Sequence, residues 1–291
     1  MSETQGEPVS ASARTHLGAR RGLPEPPLSP APAAESEPTV VIRGLVKSFG
    51  AKRAVDDLSL VVPAGRMFGL VGPNGAGKTT TLSMLTGLLR PDAGQVWVGG
   101  REVWADPAAA KQEIGVLPDG LRLFDRLSGR ELLHFVGRMR RLDDATVAQR
   151  TEQLLATLGL SSDADTLVCD YSAGMTKKIG LAAALVHSPA LLVLDEPFES
   201  VDPVSGQTIR TILHRFVAGG GTVVLSSHVM ELVETLCDSV AVMAAGRLLA
   251  VGEIEQVRAG RPLQERFLQL VGAVPGGGGE LGWLSHSHAS S

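Results

Sequence analysis

The segment Gly72 to Thr79, GPNGAGKT, restricts the fold of this chain more than any other stretch. It matches the spacing G-x-x-x-x-G-K-[ST], and its flanks are those the motif requires. Before it runs MFGLV, apolar without alternation, as in a strand buried on both faces of a parallel sheet. After it, Lys78 to Leu89 reads as a helix. Strand, glycine-rich turn and helix in that order call for an α/β architecture with the turn at the carboxyl edge of the sheet. Gly72, Pro73, Asn74, Gly75, Ala76 and Gly77 then form a loop whose N–H groups converge on phosphate oxygens, assisted by the helix dipole. Lys78 is placed to reach the β- and γ-phosphates, the Thr79 hydroxyl to ligate Mg²⁺, and Thr80 completes the candidate phosphate-binding set. An ordinary glycine turn followed by a chance Lys-Thr is the competing reading, and the flanking strand and helix weigh against it. Guanine-specific relatives need an N-K-x-D segment; Asn74 is the only Asn in the chain, which excludes that class.

Other strand candidates are VVIRGLV, LSLVV, QVWVGG, LLVLD, TVVLSS, SVAVM and RLLAV, with helices between several of them. The stretch from about Leu121 to Leu167 reads as mostly helical. RELLHFVGRMRRL and ATVAQRTEQLLATLGL both repeat apolar residues at i, i+3 and i+4. The expected fold is α/β: a phosphate-loop core on a mostly parallel sheet, an N-terminal antiparallel β subdomain and a helical insertion at about 120–170. Leu263, Phe267 and Leu270, at i, i+4 and i+7, predict one more packed helix. Residues 1–38 are rich in Pro, Ala, Ser and Glu and predict a disordered tail. The glycine run and Ser/His-rich end over 274–291 predict a flexible one. The ordered domain is expected at 39–273.

A net charge of −4 argues against a nucleic-acid partner. Cys169 and Cys237 are far apart, without metal-ligand spacing, which suits a reducing compartment and no structural metal. No apolar run approaches the ~20 residues that cross a bilayer. A cytoplasmic chain is the expectation.

LLVLDE, Leu191 to Glu196, is the second chemical motif. Four apolar residues form a buried strand, and Asp195 emerges at the edge where ligands bind in open parallel sheets. Asp195 is a candidate for the Mg²⁺ shell, and Glu196 for polarising the water that attacks the γ-phosphate. Two solvated carboxylates at a strand end would be the bland reading if no phosphate loop were present.

With these motifs the chain resembles the ATP-binding subunit of an ABC transporter, from about Val40 to Val251. YSAGM, Tyr171 to Met175, stands where that family has its signature pentad LSGGQ. The resemblance implies a head-to-tail pair of nucleotide-binding subunits, with each ATP between the phosphate loop of one and the signature of the other. Ser172 and Gly174 would then hold the γ-phosphate of the opposite chain's ATP. The resemblance also implies Phe49 as the aromatic that stacks on adenine, Asp202 as the acidic member of the segment crossing the seam, and His228 as the switch histidine at the γ-phosphate. A core Phe and a solvated acid before a proline turn are the alternatives for Phe49 and Asp202. His134, His187 and His214 read as surface or helix-face residues.

Ala173 replaces the first signature Gly, Met175 replaces its Gln, and the YSxGM form resembles the branch serving ABC-2 type export permeases, including drug-efflux systems. Asp119, in IGVLPDG, occupies the place of a Gln that ligates Mg²⁺ in most of the family; Pro118-Asp119-Gly120 is also an ordinary turn sequence. Taken together, the resemblance implies an Mg²⁺-dependent ATPase that powers a separate transmembrane permease from the inner membrane face, with the insertion near Phe124 to Leu133 as the docking surface. A soluble ABC-type ATPase unconnected with transport, and a binding module without hydrolysis, are the alternatives. Glu196 and His228 argue against the latter.

Overall fold

The computed structural model describes residues 37–272; the tails expected at 1–38 and 274–291 lie outside them, apart from Glu37 and Pro38. Chain order gives β1 (Val40–Phe49), β2 (Lys52–Val62), β3 (Met67–Val71), α1 (Lys78–Leu85), β4 (Ala93–Val98), β5 (Arg101–Glu102), α2 (Pro107–Gln112) and β6 (Ile114–Leu117). Then follow α3 (Gly129–Met139), α4 (Asp144–Thr157), α5 (Ala173–Leu185), β7 (Leu191–Leu194), α6 (Pro203–Ala218) and β8 (Thr222–Ser227). The described part ends with α7 (Met230–Leu236), β9 (Ser239–Ala244), β10 (Arg247–Glu253), α8 (Ile254–Arg258) and α9 (Leu263–Leu270).

The strands form two sheets. One is antiparallel, in the order β2-β1-β4-β5. The other has the order β10-β9-β3-β8-β7-β6, parallel except for the edge strand β10. The central strands β3 and β7 are buried on both faces, which is why they are apolar throughout, whereas the edge strand β10 is partly exposed along its length. Successive side chains point to opposite faces. Leu191 and Val193 of β7 join the core shared with the antiparallel sheet and α1, while Leu192 and Leu194 join the core beneath α3 to α7. The two sheets are also tied at Asp56, whose carboxylate accepts from Arg247 Nε at 2.7 Å and whose amide donates to the Gly246 carbonyl.

Three expectations are corrected. The helix after the phosphate loop ends at Leu85 rather than Leu89. There the Leu88 amide donates to the Ser83 carbonyl and the Gly87 amide to that of Met84, a closure that turns the chain out of the helix. The insertion carries α3 and α4 but is not helical over Leu121–Leu127; its first helix starts at Ser128, which forms a capping box with Glu131. His187 is not on a helix face: it follows α5, half-buried, with Nε2 3.2 Å from the Ile114 carbonyl oxygen. The helix α9 forms as expected, with Leu263 buried and Phe267 and Leu270 packed on the core.

Candidate nucleotide site

β3, β7 and β8 run parallel and side by side, so their carboxyl ends deliver the phosphate loop, Asp195-Glu196 and His228 to one edge. A cleft of about 330 Å³ opens there. Its walls include Asn74 to Thr80, Phe49, Asp119, Glu196 and His228. Gly72 and Pro73 stand behind it and turn their carbonyls on Lys78, whose Nζ donates to them at 2.8 and 3.3 Å. Gly77 has φ of 105°, and a Cβ there would sit 2.4 Å from the Ala54 carbonyl oxygen, so only glycine lets the loop lie this close to β2.

Lys78 and Glu196 are both buried and face each other, with Nζ 3.4 Å from Oε1. Mutual pairing is what makes two charges tolerable at such burial. The second carboxylate oxygen of Glu196 lies 3.1 Å from His228 Nδ1 and accepts from the His228 amide at 3.4 Å. One carboxylate is thereby shared between the phosphate-loop lysine and the histidine.

Ser226 supports both acidic residues, a contact with no signal in the local sequence. It is fully buried, accepts from the Glu196 amide at 3.0 Å, and donates to Asp195 Oδ1. Pairing of Leu194 with Leu225 places Ser226 level with Asp195 across the ladder. That register was the available signal.

Thr79, Asp119 and Asp195 line a second, smaller cavity of about 150 Å³. The donor set fits Mg²⁺: a hydroxyl and two carboxylates, all hard oxygen ligands. Asp119 also accepts from the Gly120 amide at 2.7 Å, so its side chain shapes the turn as well.

Phe49 is 51% exposed at the end of β1, which removes the core alternative and leaves its ring on the wall of the cleft, with Lys47 Nζ 5.8 Å from the ring centroid.

Ser172, Gly174 and Asp202 are not on this cleft. Ser172 caps α5, accepting from the Met175 amide at 3.2 Å. Asp202 caps α6, accepting from the Val204 and Ser205 amides at 3.0 Å each. The Ser205 amide and hydroxyl, with the Val204 amide, hold the Asp202 carboxyl below the usual carboxylate range. The two helix starts meet at Gly174, where a Cβ would stand 2.7 Å from Asp202 Oδ2 and 2.8 Å from Ser205 Oγ. The phosphate-loop motif and a separate pair of capped helix starts thus occur in one chain, and at α6 the anion on the amides is Asp202's own carboxylate.

Comparison with known proteins gives this geometry a family. The family model "ABC transporter" matches residues 55–199. A linearmycin resistance ATP-binding protein of Bacillus subtilis (strain 168) is 39% identical over 206 residues, covering 71% of this chain and 66% of the relative. A daunorubicin/doxorubicin resistance ATP-binding protein of Streptomyces peucetius is 38% identical over 225 residues, covering 77% of this chain and 68% of the relative. The chain therefore spans about two thirds of the length of each. A solved ATP-binding subunit of an ABC transporter superposes with a TM-score of 0.75 at 27% identity, over 80% of this chain and 99% of that one. The chain belongs to the ABC transporter family, as an ATP-binding subunit.

Proposed function

We propose that this chain hydrolyses ATP with Mg²⁺ and that the reaction powers a separate membrane permease of export type. The observation that carries the reading is the convergence of Lys78, Glu196 and His228 on one cleft at the carboxyl edge of the sheet. The phosphate loop holds the β- and γ-phosphates, and Lys78 leaves its carbonyl partners to meet them. Phe49 stacks on the adenine ring. Glu196 takes a proton from the attacking water, and His228, hydrogen-bonded to the same carboxylate, orients it and contacts the γ-phosphate. Thr79, Asp195 and Asp119 would hold Mg²⁺, which neutralises charge on the phosphates. Gly174 brings the two capped helix starts together, and Ser172 and Asp202 face a second nucleotide-binding subunit. Their absence from the cleft of their own chain supports a site completed in trans.

Among the described residues no helix is long and apolar enough to cross a membrane. Phe124 and Phe135, both exposed, meet edge to face at 4.9 Å on the insertion and offer an apolar patch to a membrane-embedded partner. The resistance proteins that this chain resembles support an exporter, and a place on the inner membrane face follows from that role. We assign the ATP-binding domain to 39–273, the last residue lying outside the described ones.

The test is Glu196→Gln. ATP binding should persist while turnover falls by ~10²–10⁴-fold, as expected on losing a positioned base. Turnover within about twofold of the parent would remove Glu196 from the role of base and assign the proton to another group.

A further inference from the structure

Glu196 has φ of 46°, a left-handed conformation disfavoured for any residue with a Cβ. Such a backbone persists only where its surroundings fix it. Three bonds do so. The Glu196 amide donates to Ser226 Oγ at 3.0 Å. Its carbonyl accepts from the Glu199 amide at 3.2 Å, closing the turn. The same carbonyl accepts from Lys177 Nζ at 2.9 Å.

Lys177 lies in the second turn of α5, the helix capped by Ser172. It is half-buried and pairs with no carboxylate within 4.0 Å among the described residues. An ammonium is strongly hydrated and ordinarily reaches for solvent or an acid. Here it is spent on one neutral carbonyl, that of the residue whose side chain lies between Lys78 and His228. Charge-assisted hydrogen bonds are the stronger kind, so the contact fixes the peptide plane from which the Glu196 side chain springs.

We propose that Lys177 is a positioning residue for Glu196: it clamps the left-handed backbone so that the carboxylate points into the cleft. The inference rests on Glu196 being the base. It also ties α5 to two different sites: Ser172 at its start faces the partner's nucleotide, and Lys177 one turn on holds the chain's own Glu196. Without the ammonium the carbonyl keeps only the Glu199 amide, and the carboxylate samples orientations away from the water. Misplacement on the scale of an ångström can cost up to about a hundredfold in rate.

The experiment measures steady-state ATPase kinetics and binding of a fluorescent ATP analogue for Lys177→Met, Lys177→Arg and Glu196→Gln. Lys177→Met should lower kcat at least about tenfold, with KM and analogue affinity held within about twofold. Lys177→Arg, which retains a cationic donor of sufficient reach, should recover most of the rate. Glu196→Gln in the same series tests the base itself. A slow Glu196→Gln with an unchanged Lys177→Met overturns the clamp and spares the base; an active Glu196→Gln overturns both. An Arg variant as slow as the Met variant, or a loss carried by KM and affinity, also overturns the clamp. Should Lys177→Met not be recovered folded, Lys177→Gln, whose amide donor is one bond short, takes its place with the same expectations.

Discussion

Ser226→Ala isolates the contribution of a single buried hydroxyl. The change removes two hydrogen bonds at once, one accepted from the Glu196 amide and one donated to Asp195 Oδ1. The side chain is fully buried and Asp195 only 5% exposed, so water cannot readily replace either partner. Each buried group left unsatisfied costs about 1–3 kcal/mol, and a charged one lies toward the upper end. The sum is about 2–6 kcal/mol, a large part of the stability of an ordinary domain. The neighbouring Ser227 provides the control. Its hydroxyl accepts from the Val229 amide at 3.0 Å, so Ser227→Ala should cost only about 0.5–1.5 kcal/mol. Urea denaturation of both variants, read from the midpoint at constant m, compares them directly. A Ser226→Ala loss under about 1 kcal/mol, or one no greater than that of Ser227→Ala, would show that the hydroxyl does not join the two acidic residues in the way the distances indicate.

Phe49→Ala should raise the dissociation constant for ATP about three- to tenfold, the worth of an aromatic pair, while kcat at saturation holds; unchanged affinity would take the ring out of the site. Asp119→Asn keeps an oxygen for the turn and removes the charge, so the Mg²⁺ concentration at half-maximal ATPase rate should rise about threefold or more, and a superimposable titration would reduce Asp119 to a turn residue. Mixing Ser172→Arg protein with Lys78→Ala protein should restore activity, because a mixed pair has one site free of both lesions; no recovery despite subunit exchange would refute completion in trans. His187 is pushed down from 6.5 to about 4 by burial and by the Arg140 guanidinium beside it. The unfolded chain then takes up this proton below about pH 6.5 while the folded chain stays neutral to about pH 4, so stability falls with pH across that window. His187→Gln should flatten that part of a urea-midpoint profile, and an equally steep variant would assign the acid sensitivity to other groups.

The elements that sequence made legible are those with a short-range cause. Val40, Met67 and Leu191 open short β-branched or apolar runs of strand length, and the phosphate loop carries its flanks with it. The close of α1 is not legible in this way. Leu85, Leu88 and Leu89 continue a helical spacing past its end, whereas in the fold the Gly87 and Leu88 amides turn back on Met84 and Ser83. The helix α2 has a short local signature, Asp106 as N-cap before Pro107, but too few residues to show a helical period. Ser226 and Lys177 have no local signature. One depends on strand register and the other on the left-handed turn at Glu196, and both are properties of the folded sheet. Gly174 was legible as part of a motif, but its need for a bare Cα comes from Asp202 and Ser205, which are distant in sequence and adjacent in space.

β3 has β9 on one side and β8 on the other, and all five of its residues are buried. Phe68 and Leu70 belong to one apolar core, Met67 and Val71 to the other. Its amides therefore become free only when both cores come apart together. In a native-state hydrogen-exchange experiment they belong with the last to exchange, by global opening, whereas α3 and α4 can fray by local opening. The phosphate loop is suspended from this strand. Loss of packing on either face would reach it only through cooperative unfolding of the whole, which lets the surrounding elements move while the anchor of the loop stays fixed.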